Sequence, residues 1–162
     1  MLDFTKSLTF EDYLEKQQEK YGDVQNKAYE NTSLSDSTKN NILNLNETIH
    51  VAVFSEGFCP DCIVTIPFIQ RLKEENSNLK VHIFPRTGFE DFLTEAVGDS
   101  RIPTVITFDS SMAPKGAYVE MPKELSSKMA SLTMDEKKSL ISEYRSGKYN
   151  DLIEKNLLDI IL

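Results

Sequence analysis

Thr48-Ile-His-Val-Ala-Val-Phe54, followed shortly by Gly57-Phe58-Cys59-Pro60-Asp61-Cys62, is the stretch that decides the fold of this chain. A stretch this rich in β-branched and apolar residues suits a buried strand. Pro60 suits the first turn of a helix, where its missing N–H would be unpaired in any case. The helix it opens is expected to run to about Asn76. The cysteine pair therefore stands where a buried strand gives way to a helix. Unpaired N–H groups and the helix dipole stabilise an anion at that point, so Cys59 is expected to ionise more easily than a free thiol. The thiolate is the nucleophile of disulfide exchange.

Outward from this stretch the pattern alternates. Leu79-Lys-Val-His-Ile-Phe84 reads as the next strand, Gly88 to Val97 as a short helix with Phe89 and Phe92 toward the core, and Ile102-Pro-Thr-Val-Ile-Thr-Phe108 as a third strand. Ala117-Tyr-Val-Glu-Met121 reads as a fourth. Pro122 opens a helical region reaching Leu162 with a break at Gly147. On the amino-terminal side, residues 9–29 read as one helix, with Thr9 as cap, Asp12 as its capping-box acid and an acidic, solvated outer face. Ser35 to Leu45 reads as a second, short helix. The expectation is an α/β fold with a central mixed sheet of about four strands flanked by helices. The first strand pair, joined by a helical crossover, is expected to be parallel; the last pair, joined by a short turn, antiparallel.

Composition narrows the function. The chain has 162 residues, 40% hydrophobic and 27% charged, which fits one domain with its own core. A net charge of −8, with no cluster of Lys and Arg, argues against nucleic acid. No apolar run is long enough to span a membrane, and the first residues lack a basic and then apolar leader, so the expected location is the cytoplasm. Two cysteines are too few for a secreted disulfide scaffold, and in a reducing compartment a close pair points to redox or metal chemistry. Zinc wants four ligands. Only His50 and His82 are left to supplement the thiols, and both lie on neighbouring strands away from the cysteines, so no metal is expected. No flavin or nicotinamide motif is present, and no cofactor is expected.

The strand, the Cys59-Pro60-Asp61-Cys62 run and the following helix resemble the redox site of the thioredoxin superfamily. Pro67 falls five residues after Cys62, where thioredoxins kink the active-site helix. Ile102-Pro103-Thr104 matches the Ile-Pro-Thr, with a cis proline, that faces their cysteines. The resemblance covers roughly residues 46–130 of a single domain, with residues 1–45 as an amino-terminal helical extension and 131–162 as carboxy-terminal helices. Among relatives the chain is most similar to bacterial thioredoxin-like proteins with such an extension.

The resemblance implies a thiol–disulfide oxidoreductase. Cys59 would attack a substrate disulfide and Cys62 would resolve the mixed disulfide. Phe58, Pro60, Asp61, Ile102 and Pro103 would meet the substrate, a disulfide-bearing protein or small thiol compound, and a separate reductant would restore the dithiol. Three departures stand out. The buried aspartate that thioredoxins carry six residues before the first cysteine is Val53 here, leaving only Glu56 or Asp61 to serve as base through water. Glu120 or Met121 stands near a thioredoxin glycine of the partner-binding loop. Asp61 places a negative charge near Cys59, which disfavours its thiolate and points to the reducing end of the family's range. The alternative is a non-catalytic module that binds a partner in the Ile102-Pro103 groove. The apolar carboxy-terminal run from Leu152 to Leu162 packs either on the domain or on a second subunit.

Overall fold

A computed structural model describes residues 1–162. Four strands, β1 (Ile49–Phe54), β2 (Leu79–Phe84), β3 (Thr104–Phe108) and β4 (Pro114–Val119), form one sheet in the order β2-β1-β3-β4. β1 and β2 are parallel, with Ile49 opposite Leu79 and Phe54 opposite Phe84. β3 runs antiparallel to both β1 and β4. The parallel pair follows from the crossover helix α4 (Pro60–Glu75), because a helical return brings the second strand back in the same direction.

Successive side chains of a strand point to opposite faces, and both faces of this sheet are covered. Val51, Val53, Ile83 and Val105 join the larger core with Ile66, Ile69 and Leu72 of α4. Ala52, Phe54, Phe84 and Ile106 face the other way, under Leu93 of α5 (Glu90–Val97). Phe89 and Phe92 pack against this second cluster from its edge, with Phe54 ring centroids 5.6 Å from each. This two-sided burial accounts for the apolar run Val51–Phe54 in β1.

The helical regions divide more finely than their periodicity predicts. The amino-terminal helix is two: α1 (Phe10–Lys16), closed by the Thr9–Asp12 capping box, and α2 (Glu19–Glu30). Gln17 and Gln18 between them are extended, with ψ of 157° and 142°. The break lets α1 lie over the end of β1 while α2 packs along α4. There Gln25 donates to the Ile63 carbonyl, and the Arg71 guanidinium lies 3.9 Å from the Tyr29 ring centre. After α3 (Asp36–Leu43), the carboxy-terminal region contains three helices: α6 (Lys123–Met129), α7 (Met134–Arg145) and α8 (Asn150–Ile161). Gly147, at φ +98°, makes the expected break. The additional break before α7 is held by a second capping box, Thr133 with Glu136. Ile153, Leu157 and Ile161 are buried in the larger core, so the carboxy-terminal run packs on its own domain. β4 ends at Val119, two residues earlier than its apolar pattern predicts. Glu120 turns away at φ +68° as its N–H binds the Pro103 carbonyl at 2.7 Å.

The first eight residues, which carry no clear periodicity, cover the β2 edge. A short 3-10 turn, Phe4–Lys6, leads to Leu8, which bridges Ile83 through two backbone hydrogen bonds of 2.8 and 3.0 Å. This answers the exposed-edge problem of the sheet. The Phe4 ring packs edge-on to His82, whose Nε2 lies 3.2 Å from His50 Nδ1 and whose Nδ1 lies 3.1 Å from Ser7 Oγ. Both histidines are structural strand residues. Burial, then the charges of His50 and Lys73, lower the His82 pKa to about 4.

The consequence for stability has a definite sign. The folded protein keeps His82 neutral, and the unfolded chain takes up a proton first as the pH falls. Stability from this group is therefore complete above the ordinary value of 6.5 and drains away as the pH drops toward 4. After discounting for partial exposure, the loss is about 1–2 kcal/mol. Thermal unfolding of His82→Gln should change less across this window than that of the natural protein.

Candidate active site

Cys59 caps α4. Its backbone is extended, at φ −85° and ψ 113°, and its Sγ accepts the Cys62 N–H at 3.2 Å. Pro60 occupies the first helical turn and leaves this N–H as the capping donor. Pro67 lies buried within the same helix. Both cysteines are free thiols. Cys59 retains 8% exposure and Cys62 none, so an external sulfur can reach only Cys59.

The electrostatics separate the two thiols. A hydrogen bond from the Cys62 thiol lowers the Cys59 pKa; burial opposes it, and the Cys62 N–H adds to the lowering. Burial drives the Cys62 pKa far upward, and the neighbouring Cys59 sulfur drives it further. One thiol is disposed to ionise and the other to stay protonated in the resting protein.

The Ile102–Pro103 peptide is cis and faces the pair, with Cys59 Sγ 3.7 Å from the Ile102 carbonyl oxygen. Pro103 is buried, Ile102 half-buried, and Pro60 exposed. Phe58, beside the thiol, is 59% exposed and offers an apolar contact surface. Behind the groove, Glu120 pairs with Arg101 at 2.7 Å, and Arg101 also holds Asp99. Of the two residues near the expected glycine position, Glu120 is paired with Arg101 and Met121 is buried in the core.

Asp61 is engaged within the protein. Its carboxylate is buried and pairs with Arg145 of α7, Nε to Oδ1 at 2.8 Å. Its charge opposes ionisation of Cys59 and the Arg145 cation works the other way, while the net downward shift of Cys59 comes first from the Cys62 thiol. Glu56 is also engaged: its Oε1 accepts the N–H groups of Arg86 and Thr87. Val53 is fully buried among apolar neighbours.

Several residues around Cys62 escape sequence reasoning. Tyr13 and Ser55, both buried, share a 2.7 Å hydrogen bond, and the Ser55 hydroxyl favours ionisation of the Cys62 thiol. On another side, the Tyr144 hydroxyl links Thr65 and Tyr118, at 3.2 and 3.1 Å, and burial pushes its pKa to about 12. Tyr13 is indistinguishable in sequence from an ordinary apolar-face residue of α1, and Arg145 from a solvated charge ending α7. No three His, Cys, Asp or Glu side chains are grouped to hold a metal ion, and no helix is long and apolar enough to cross a membrane.

A parallel–antiparallel sheet covered on both faces, a Cys-Pro-Asp-Cys helix cap and an opposed cis-proline define the thioredoxin-like class of proteins. The chain matches the Thioredoxin_9 family, a thioredoxin family, over residues 7–138 and belongs to it. The match takes in α1 to α3, which the resemblance to thioredoxins leaves outside. Two solved structures share the fold. PA1234 from Pseudomonas aeruginosa, a protein of unknown function, is 18% identical with a TM-score of 0.80, covering 97% of this chain and 93% of its own. An HIV epitope-scaffold protein is 17% identical with the same TM-score of 0.80 and the same coverage, 97% and 93%. No curated protein sequence matches the chain.

Proposed function

We propose that this protein is a thiol–disulfide oxidoreductase that reduces disulfides of proteins or small molecules through Cys59 and Cys62. The observation that carries the reading is the capped Cys59 sulfur, 3.2 Å from the Cys62 N–H, with a fully buried thiol behind it. The Cys59 thiolate attacks one sulfur of the substrate disulfide, forming a mixed disulfide and releasing the other sulfur as a thiolate. Cys62 then attacks Cys59 Sγ. A Cys59–Cys62 bond forms, the bond to the substrate breaks, and the second substrate sulfur departs with the electron pair. The substrate gains two electrons and the cysteine pair loses two.

A separate dithiol or small thiol returns the pair to its reduced state. The setting that suits such a cycle is the cytoplasm, where thiols are kept reduced. Ile102 supplies backbone groups for an extended substrate, and Phe58 supplies apolar contact. Val53 favours a second reading, a binding module without turnover, because no carboxylate stands behind Cys62. Dithiothreitol-driven reduction of insulin separates the two. The oxidoreductase accelerates it in proportion to protein added, and a binding module leaves the rate unchanged.

A further inference from the structure

The proposed exchange requires Cys62 to lose its proton while it is completely buried. Val53 stands in place of a carboxylate, Asp61 is paired with Arg145, and Glu56, held at Oε1 by two backbone N–H groups, lines a cleft beyond Ser55. What does stand there is a pair of buried hydroxyls. Ser55 follows the last residue of β1, and its Oγ lies 2.7 Å from the Tyr13 hydroxyl of α1. Tyr13 and Ser55 both line a cleft of about 310 Å³, together with Lys16, Gln17 and Glu56. The Ser55 hydroxyl favours ionisation of the Cys62 thiol, and from Ser55 the hydroxyl pair leads to a cavity large enough for water.

Resting on the oxidoreductase reading, we infer that Ser55 and Tyr13 form a hydroxyl relay carrying the Cys62 proton to the Lys16–Glu56 cleft during resolution of the mixed disulfide. Each hydroxyl accepts one proton and passes on another, so neither ends the step charged. As Cys62 gives its proton to Ser55, Ser55 gives one to Tyr13 and Tyr13 one to cleft water. The electron pair left on Cys62 forms the bond to Cys59, and the departing substrate thiolate takes up a proton from solvent. Burial raises the Tyr13 pKa, which suits a group that transmits protons without itself ionising. The amino-terminal helix thereby becomes part of the redox machinery. The second hydroxyl chain does not offer this route, because Tyr144 closes it on the Glu120 carbonyl.

A chromogenic aromatic disulfide, 5,5′-dithiobis(2-nitrobenzoate), resolves the steps. Attack by Cys59 releases one coloured thiolate, and resolution by Cys62 releases the second. Tyr13→Phe and Ser55→Ala should leave the first release unchanged and slow the second on the order of tenfold near neutral pH, the modest end of general acid–base effects. The deficit should shrink as the pH rises and hydroxide takes the proton directly. Tyr118→Phe, which removes a different buried hydroxyl, should match the natural protein. A second release at the natural rate in both relay variants overturns the relay. So does equal slowing in Tyr118→Phe, or a deficit that does not vary with pH, since a loosened fold gives either result. Two variants guard against one that fails to fold. Absence of both releases in the natural protein instead overturns the oxidoreductase reading on which the relay rests.

Discussion

Cys59→Ser should lose disulfide reduction altogether, by at least about a thousandfold, because the attacking atom is removed and no second thiol is accessible. Cys62→Ser should behave differently. Its Cys59 still caps α4 through the N–H of residue 62, since that donor belongs to the backbone. The first attack therefore proceeds, and the protein accumulates as a mixed disulfide that can be isolated under non-reducing conditions. The Cys59 thiolate itself should be less favoured in this variant, because the leading cause of its lowered pKa is the hydrogen bond from the Cys62 thiol. Iodoacetamide should label Cys59 and spare Cys62 in the native natural protein. Mass spectrometry after brief labelling checks the order, and preferential labelling of Cys62 would contradict the assignment of nucleophile and resolving thiol.

The second large effect concerns Arg145. Arg145→Met leaves the buried Asp61 carboxylate without its partner. Breaking a fully buried pair costs about 3–5 kcal/mol, whereas exposed pairs contribute about 0–1 kcal/mol. With the Arg145 side chain 42% exposed and that of Asp61 only 10%, this pair lies between the two limits. A loss of about 1–3 kcal/mol is expected by denaturant unfolding. The same substitution should raise the pH at which Cys59 becomes reactive, because the Asp61 charge beside it is no longer offset. The double variant Asp61→Asn, Arg145→Met removes both charges and should recover much of the stability and the lower reactive pH. A purely structural role for Arg145 predicts a stability loss with no movement of the Cys59 pH profile.

The legible parts of this protein are those written in contiguous residues. β1 and the Cys59–Cys62 run are neighbours in sequence, so their junction and the helix cap follow from local rules. The Thr9–Asp12 capping box was readable for the same reason, and Thr133–Glu136 carries the same signal at a break that the periodicity of the carboxy-terminal helices obscures. Gln17 and Gln18 carry no breaking signal; they are extended because α1 and α2 pack on different partners, and that is a tertiary demand. The Asp61–Arg145 pair joins residues 84 positions apart, and Tyr13 meets Ser55 across 42. Each looks ordinary within its own helix or strand. Asp61 read alone acts as a local negative charge on Cys59, and only the arrival of α7 shows that charge offset.

As a working dithiol–disulfide centre, Cys59 and Cys62 must cycle reversibly between two thiols and one internal bridge. Equilibration in defined thiol–disulfide buffers, followed by trapping of free thiols and mass measurement, tests it most directly. The expected result is a reversible two-electron transition between about −270 and −200 mV, within the span of dithiol pairs that exchange with cytosolic partners. A pair that never forms its internal bridge, or stays reduced under every buffer, would contradict the claim and leave a thioredoxin-fold binding module.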